Sequence, residues 1–143
     1  MTGEPIRFLI VAGEASGDIH GGGLVRALKK IHPNCKFSGL GGNRMRKEGV
    51  KTFYNINRMG AIGVVELLRD LPHYLTVYRK LAREIESGYY DAVILIDYPT
   101  LNLRLAKLCH KYSCPALFFI SPQVWAWRKG RIKQIRRTVD KMF

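Results

Sequence analysis

The sequence is short of acidic residues. Its 143 residues contain 24 lysines and arginines but only 11 aspartates and glutamates, which gives a formal net charge of +13. This excess indicates an anionic partner, and nucleic acid, anionic lipid headgroups and phosphorylated small molecules all fit that description. A basic face that serves only solubility is the alternative.

Long apolar runs are also lacking, and we expect no signal peptide. No stretch reaches the roughly 20 uncharged apolar residues of a membrane-spanning helix, and residues 1–5 lack the basic and then apolar layout of a signal peptide. We therefore expect a cytoplasmic protein. The three cysteines do not have the spacing of metal ligands, so we expect reduced, mostly buried thiols and predict no metal site.

Apolar runs alternate with amphipathic stretches along the chain. Strands are predicted at residues 6–11, 35–40, 50–54, 91–97, 116–120 and 138–143, and helices at 18–31, 43–48, 61–71, 72–85, 100–112 and 129–137. The run at 91–97 is continuous and branched, which is typical of a central parallel strand buried on both faces. The alternation predicts an α/β fold, a Rossmann-like doubly wound parallel sheet.

Loops that follow strands are the candidate ligand sites, because ligands of an open parallel sheet collect at the carboxyl ends of its strands. The first such loop offers Glu14, Ser16, Gly17 and Asp18. Its glycines permit close backbone approach, and Ser16 or Asp18 is able to cap the next helix. The spacing is not that of a dinucleotide or P-loop motif, and the carboxylates suit sugar hydroxyls better than a pyrophosphate. Alternatively, the glycines serve only helix packing, above all at 21–23.

The second loop begins with Asp97 at the end of the predicted central strand. A partly desolvated carboxylate at this position is a candidate general base. The competing interpretation is structural, with Asp97 capping the helix that begins near residue 100. The residues alone leave both interpretations open.

The third loop is Ser121-Pro122-Gln-Val-Trp125-Ala-Trp127-Arg128, which holds both tryptophans of the chain. Large rings are uncommon in ordinary turns, so the loop either packs as core or binds a ligand. Seven lysines and arginines lie between 128 and 141, directly after the rings. Charge and aromatic surface therefore converge at this edge of the predicted sheet.

The helical stretch from 60 to 85 has more apolar surface than one core contact requires. Ile62, Leu67 and Tyr74 lie outside its core-facing stripe, and arginines and lysines flank it. Such a segment is a candidate contact for a membrane surface or an acyl chain. A helix buried on two sides is the competing interpretation.

Three motifs together resemble the lipid-A-disaccharide synthase family. They are residues 11–18 (VAGEASGD), Ile96-Asp97-x-Pro99 with Asn102, and residues 121–128 (SPQVWAWR). They occur in the order of that family, and the resemblance extends from residue 6 onward. One departure stands after Pro99, where Thr100 and Leu101 replace the expected acidic and aromatic residues.

The resemblance implies an inverting glycosyltransferase of the two-domain GT-B architecture that needs no metal or other cofactor. The family transfers 2,3-diacylglucosamine from UDP-diacylglucosamine, a substrate, to the 6-hydroxyl of 2,3-diacylglucosamine 1-phosphate. Asp97 would then be the base and Glu14 and Ser16 would position sugar hydroxyls, with Asp18 shaping the loop. The tryptophan loop would form a wall of the acceptor cleft.

The resemblance also implies a location and a domain organisation. Residues 1–143 would be an incomplete amino-terminal, acceptor-binding domain, with the donor domain absent and the chain inactive alone. The protein would lie peripherally on the cytoplasmic face of the inner membrane, contacting anionic lipid and no nucleic acid. The alternative is a basic Rossmann-like module that binds nucleic acid or membrane without catalysis.

Overall fold

A computed structural model describes residues 3–55, 71–119, 137 and 140–142 of the chain. Its strands are β1 (Ile6–Ala12), β2 (Cys35–Gly41), β3 (Lys51–Asn55), β4 (Ala92–Ile96), β5 (Ala116–Phe119) and β6 (Lys141–Met142). Its helices are α1 (Ala15–Ile31), α2 (Asn43–Lys47), α3 (Leu71–Glu86) and α4 (Pro99–Lys111).

The strands form one parallel sheet in the order β3-β2-β1-β4-β5-β6. This order confirms the predicted Rossmann-like, doubly wound arrangement. β4 lies between β1 and β5, and all its residues are buried, as its unbroken apolar sequence predicts. The strand order reverses between β1 and β4, which is the point where ligands bind in such sheets.

Helices cover both faces of the sheet, so alternate residues of β1 enter different cores. Leu9 and Val11 pack in a cluster with residues of α3 and α4, whereas Ile10 and Ala12 pack in a second cluster with residues of α1 and α2. Side chains of a strand point alternately to opposite faces, and helices on both faces therefore demand apolar residues at every position.

The predicted elements agree with the observed ones apart from their ends. α1 begins at Ala15, earlier than the predicted residue 18, and its N-cap is Glu14, whose side chain makes no capping hydrogen bond. The prediction that Ser16 or Asp18 caps this helix is therefore wrong. The predicted helix at 61–71 lies almost wholly outside the described residues, as does the one at 129–137.

The cysteines have the environment that their sequence context predicts. Cys35 and Cys109 are buried and Cys114 is half-buried, and all three are free thiols. Burial raises the pKa of each thiol, to about 12 for Cys109. No helix among the described residues is long and apolar enough to cross a membrane.

Candidate active site

The first two candidate loops leave the sheet side by side. Ala12, the last residue of β1, pairs with Ile96, the last residue of β4, and Ile96 pairs in turn with Phe119 at the end of β5. The loop after Ala12 and the loop after Ile96 therefore start from neighbouring positions at the switch point of the sheet. This adjacency places Glu14 and Asp97 at the same edge.

The backbone at the end of β4 is strained. Asp97 has φ 47° and Tyr98 has φ 49°, so two consecutive non-glycine residues adopt the left-handed conformation. Each such residue costs on the order of 1–3 kcal/mol, and this kind of strain concentrates at active sites. The N-cap of α4 is Tyr98. Asp97 therefore does not occupy the cap position that the structural interpretation gave it.

Asn102 holds this strained turn in place. Its side chain is fully buried, and its Nδ2 donates to the carbonyl oxygens of Ile96 at 3.1 Å and Asp97 at 2.6 Å. Its backbone N–H donates to the carbonyl of Tyr98 at 3.0 Å. Asn102 thus fixes the backbone on both sides of the half-buried Asp97, which is a positioning role.

Tyr98 connects the two loops. A Cβ placed on Gly13 would lie 3.2 Å from the Tyr98 ring, so the absence of a side chain at Gly13 lets the ring approach the first loop. The Tyr98 hydroxyl is buried and makes no hydrogen bond within the described structure. Burial, and next the negative charge of Glu14, raise the pKa of Tyr98 well above its usual range. A neutral hydroxyl donor therefore lies within the electrostatic reach of Glu14.

Glu14 and Ser16 are exposed at the beginning of α1. The first amides of a helix have no partner within the helix, and the helix dipole makes its amino end positive. Carboxylate, hydroxyl and amide groups thus occur together at this end of α1. Such a set suits a ligand rich in hydroxyl groups.

Asp18 is committed to the protein's own backbone. It is buried, and its Oδ1 accepts hydrogen bonds from the N–H groups of Gly42 at 2.8 Å and Met45 at 3.0 Å. Its Oδ2 accepts a third from the N–H of Arg44 at 3.0 Å. Asp18 therefore caps α2 across the fold. These contacts correct its assignment as a substrate-binding residue and agree with the expected role in shaping the loop.

Gly17 also has a structural environment. It is buried, and a Cβ there would lie 3.3 Å from the Cβ of Ala12 and 3.5 Å from Cγ2 of Ile96. Gly17 thus lets α1 approach the ends of β1 and β4, and its assignment as a ligand contact stays a prediction. Gly21 packs against Met45 in the same manner, whereas Gly23 has no neighbour within 4 Å. The packing interpretation therefore holds for Gly17 and Gly21 but not for Gly23.

Tyr74 requires a correction as well. It was predicted with Ile62 and Leu67 as a membrane or acyl contact, but it is only 4% exposed and belongs to the core under α3 and α4. Its ring stacks on Tyr78 at 6.4 Å, and its hydroxyl accepts a 3.3 Å hydrogen bond from Arg104. The buried residues of this part of the helix, Tyr74, Val77, Leu81 and Ile85, form a single face toward the core. Ile62 and Leu67 lie outside the described residues.

The third loop also lies outside the described residues, and its assignments stay predictions. These are the assignments of Ser121, Pro122, Trp125, Trp127 and Arg128. β5, which precedes this loop, ends at Phe119, whose carbonyl accepts a 3.2 Å hydrogen bond from the N–H of Asp97. Among the described residues no three histidine, cysteine or carboxylate side chains are grouped to hold a metal ion.

Tyr98 is the site residue that sequence reasoning missed. Its signal was an aromatic residue between Asp97 and Pro99, at a loop position where small residues are commoner. Asn102 was noticed as part of a motif, but its bonds to the turn depend on the backbone conformation and cannot be read from spacing.

Comparison with known proteins identifies close relatives. The profile of a family described as lipid-A-disaccharide synthetase matches residues 8–143. The chain is 47% identical over 141 residues to a lipid-A-disaccharide synthase of Trichlorobacter lovleyi, covering 99% of this chain and 37% of that protein. The corresponding synthase of Geobacter sulfurreducens is 46% identical over 136 residues, covering 95% and 35%. That of Myxococcus xanthus is 41% identical over 142 residues, covering 99% and 37%. The chain thus spans little more than a third of the length of these relatives.

Proposed function

The chain belongs to the lipid-A-disaccharide synthase family, and we propose that it forms the acceptor-binding part of an inverting glycosyltransferase. The complete protein would transfer 2,3-diacylglucosamine from its UDP conjugate to the 6-hydroxyl of 2,3-diacylglucosamine 1-phosphate. The products would be the lipid A disaccharide 1-phosphate and UDP. The donor would bind mainly to a domain that is not in this chain.

The proposed step is a single displacement at the anomeric carbon of the donor. The acceptor oxygen loses its proton to Asp97 as it forms the new bond to that carbon. The bond to the UDP oxygen breaks at the same time, and UDP leaves with the electron pair. A base that takes the proton in the transition state contributes about 10²–10⁴-fold to such reactions. We propose that the step needs no metal or other cofactor.

One observation carries this proposal, which is the strained turn at the switch point of the sheet. Asp97 lies there in a left-handed conformation, and Asn102 braces the carbonyls on both sides of its Cα. Strain persists only where the surrounding structure enforces it, and a fixed carboxylate is what general-base catalysis requires. Glu14 and Ser16, exposed at the beginning of α1, are the proposed partners of the acceptor hydroxyls.

The remaining contacts are proposed from the family and the charge. The basic excess suits the acceptor phosphate and an anionic membrane surface, on which the protein would lie peripherally at the cytoplasmic face. Ile62 and Leu67 are the proposed acyl or membrane contacts. The tryptophan loop, from Ser121 to Arg128, is the proposed wall of the acceptor cleft. A binding module without catalysis gains no support from the relatives described above.

Asp97→Asn in the complete protein tests the proposed base. We expect the rate of disaccharide formation to fall by roughly 10²-fold or more, because the amide cannot take up the proton. Asp91→Asn is the matched control, since Asp91 immediately precedes the same strand at its other end and is exposed. It should retain activity.

The measurement is turnover of a UDP-diacylglucosamine donor with an acylated glucosamine 1-phosphate acceptor, at saturating concentrations of both. Thermal unfolding of each variant checks that the fold is kept. Full activity of a folded Asp97→Asn variant would refute the base assignment. Equal losses in the two aspartate variants would refute the assignment of the site to the carboxyl edge.

A further inference from the structure

A second concave surface lies at the amino ends of the strands, opposite Asp97. We call it the amino-edge groove; it is an open groove of about 740 Å³ between the first residues of β1, β2 and β3 and the second half of α3. β3 pairs with β2 only from Ser38 onward, so residues 35–37 form an open border of the described sheet. Backbone donors and acceptors are exposed along such a border.

Cations crowd this groove. Among the described residues, five lysines and arginines line it and Glu84 is the only carboxylate in its lining. Arg7 and Lys36 are direct cross-strand partners, and Lys51 pairs with Ser38, two residues further along β2. Cross-strand partners point to the same face, and like charges in that position destabilise a sheet. Charge that served only solubility would be dispersed.

Aromatic rings support Arg7 and Lys80, and Lys80 is also paired with a carboxylate. Arg7 lies 4.6 Å from the ring centroid of Tyr89, and Lys80 lies 4.7 Å from that of Phe53. A ring face attracts a cation but leaves its charge in place. Glu84 is itself engaged, because it pairs with Lys80 at 2.9 Å and accepts a 2.9 Å hydrogen bond from the Tyr90 hydroxyl.

Arg7 also has an unused donor. Its Nε is buried and has no hydrogen-bond partner within the described structure. Lys36 and Lys51, in contrast, are exposed at the mouth of the groove. A buried donor flanked by exposed cations is an arrangement that an anion with several acceptor oxygens satisfies.

We propose that the amino-edge groove binds a phosphate group, with Lys36 and Lys51 as its principal cationic contacts. Cations of the protein already lie over the rings of Phe37, Phe53 and Tyr89, which favours a phosphate over a stacked nucleic-acid base. The group is carried either by an anionic lipid headgroup or by a soluble phosphate compound. This inference does not rest on the proposed transferase activity, because the groove lies at the other edge of the sheet.

Charge reversal in the full chain tests the proposal. The test variant is Lys36→Glu with Lys51→Glu, and the control is Lys107→Glu with Lys111→Glu, which makes the same change of net charge on the exposed surface of α4. Each protein is titrated with inorganic pyrophosphate while its backbone amide resonances are followed. Each is also sedimented with phosphatidylcholine vesicles, with and without phosphatidylglycerol.

We expect the unsubstituted protein to respond at Lys36, Lys51 and Tyr89, and the test variant to bind about tenfold more weakly or worse. The control should bind within twofold of the unsubstituted protein. Binding of pyrophosphate alone supports a soluble ligand, and binding of anionic vesicles alone supports a lipid headgroup. Binding of both supports phosphate recognition from either source.

Two results would overturn the proposal. One is an equal loss of binding in the two double variants, which would show a response to net charge only. The other is a result in which pyrophosphate shifts no amide of the groove and the protein does not sediment with the anionic vesicles. The second result needs only the unsubstituted protein, so it decides the matter even where a charge-reversed variant does not fold.

Discussion

The two ends of β4 carry the same side chain in opposite settings. Asp91 precedes the strand and accepts a 2.8 Å hydrogen bond from the N–H of Arg7, as a simple link between neighbouring strands. Asp97 follows the strand with φ 47°, beside a second left-handed residue. Strain is therefore stored at the carboxyl edge, whereas the amino edge stores unfavourable charge.

This difference separates two ways in which a fold departs from its most stable arrangement. At the carboxyl edge the cost lies in the backbone of Asp97 and Tyr98, and in buried polar atoms of Tyr98 and Asn102 that lack partners in the described structure. At the amino edge Ser113 is also left-handed, but it directly follows the C-cap of α4, a position where this conformation is common. The backbone there is therefore less unusual. There the cost lies in adjacent cations. A geometric cost suits positioning of a reacting group, and an electrostatic cost suits attraction of an ion.

The largest stability effect is expected from Asp18→Ala, near the carboxyl edge. It removes a buried acceptor and leaves three backbone N–H groups without it, which should lower the free energy of unfolding by about 4 kcal/mol. Asp91→Ala at the amino edge loses one exposed bond and should cost less than about 1 kcal/mol. Denaturant unfolding of both variants measures the difference. Equal costs would remove the distinction between the two aspartates.

The next effect is alkaline destabilisation. The pKa of Cys109 is raised from 9.0 to about 12 by burial, so the unfolded chain loses this proton at a lower pH than the folded one. The contribution is fully present below pH 9 and is lost as the pH rises toward 12. The loss is on the order of 3 kcal/mol. Unfolding measured across this range should show a shallower decline in Cys109→Ala, and an unchanged slope would contradict the assignment.

A smaller effect distinguishes two glycines of α1. Gly21→Ala places a methyl group 2.8 Å from Sδ of Met45, so we expect a loss of roughly 2 kcal/mol from overpacking. Gly23→Ala meets no atom within 4 Å and should stabilise the helix by about 0.5–1 kcal/mol. Thermal unfolding of the two variants gives the comparison. A gain at both positions would show that α1 does not press against α2 as described.

The smallest effect compares one tyrosine from each edge. Tyr90→Phe at the amino edge removes the 2.9 Å hydrogen bond to Glu84 and should cost about 1 kcal/mol. Tyr98→Phe at the carboxyl edge removes a hydroxyl without a partner in the described structure and should be neutral or slightly stabilising. Denaturant unfolding of the chain measures both. A clear loss in Tyr98→Phe would reveal a partner for its hydroxyl.

The sequence was sufficient for the sheet because β4 is apolar at every position and β1 is apolar at every position but Arg7. The length of these runs indicates strands, and the amphipathic stretches that follow them predict helices on both faces of a parallel sheet. The placement of Glu14 and Asp97 at the same edge could be predicted from topology alone, because parallel strands bring their carboxyl ends together.

The errors have physical causes that a local pattern does not contain. Asp18 bonds to amides that lie 24 to 27 residues away, so its partners depend on the packing of α1 on α2. Tyr74 borders the stripe of apolar residues that was predicted to face the core, and period alone could not decide how far the buried face extends. The left-handed turn at Asp97 contains no glycine, so its composition did not predict this conformation.

The bonds of Asp18 also have a mechanical consequence. The carboxylate of Asp18 on α1 accepts hydrogen bonds from the first turn of α2, and Gly21 packs closely against Met45 nearby. The beginning of α1, with Glu14 and Ser16, is thereby joined to the connection between β2 and β3. A ligand that pulls on the start of α1 would displace α2 with it, so motion of one loop is transmitted to a neighbour that the ligand never touches.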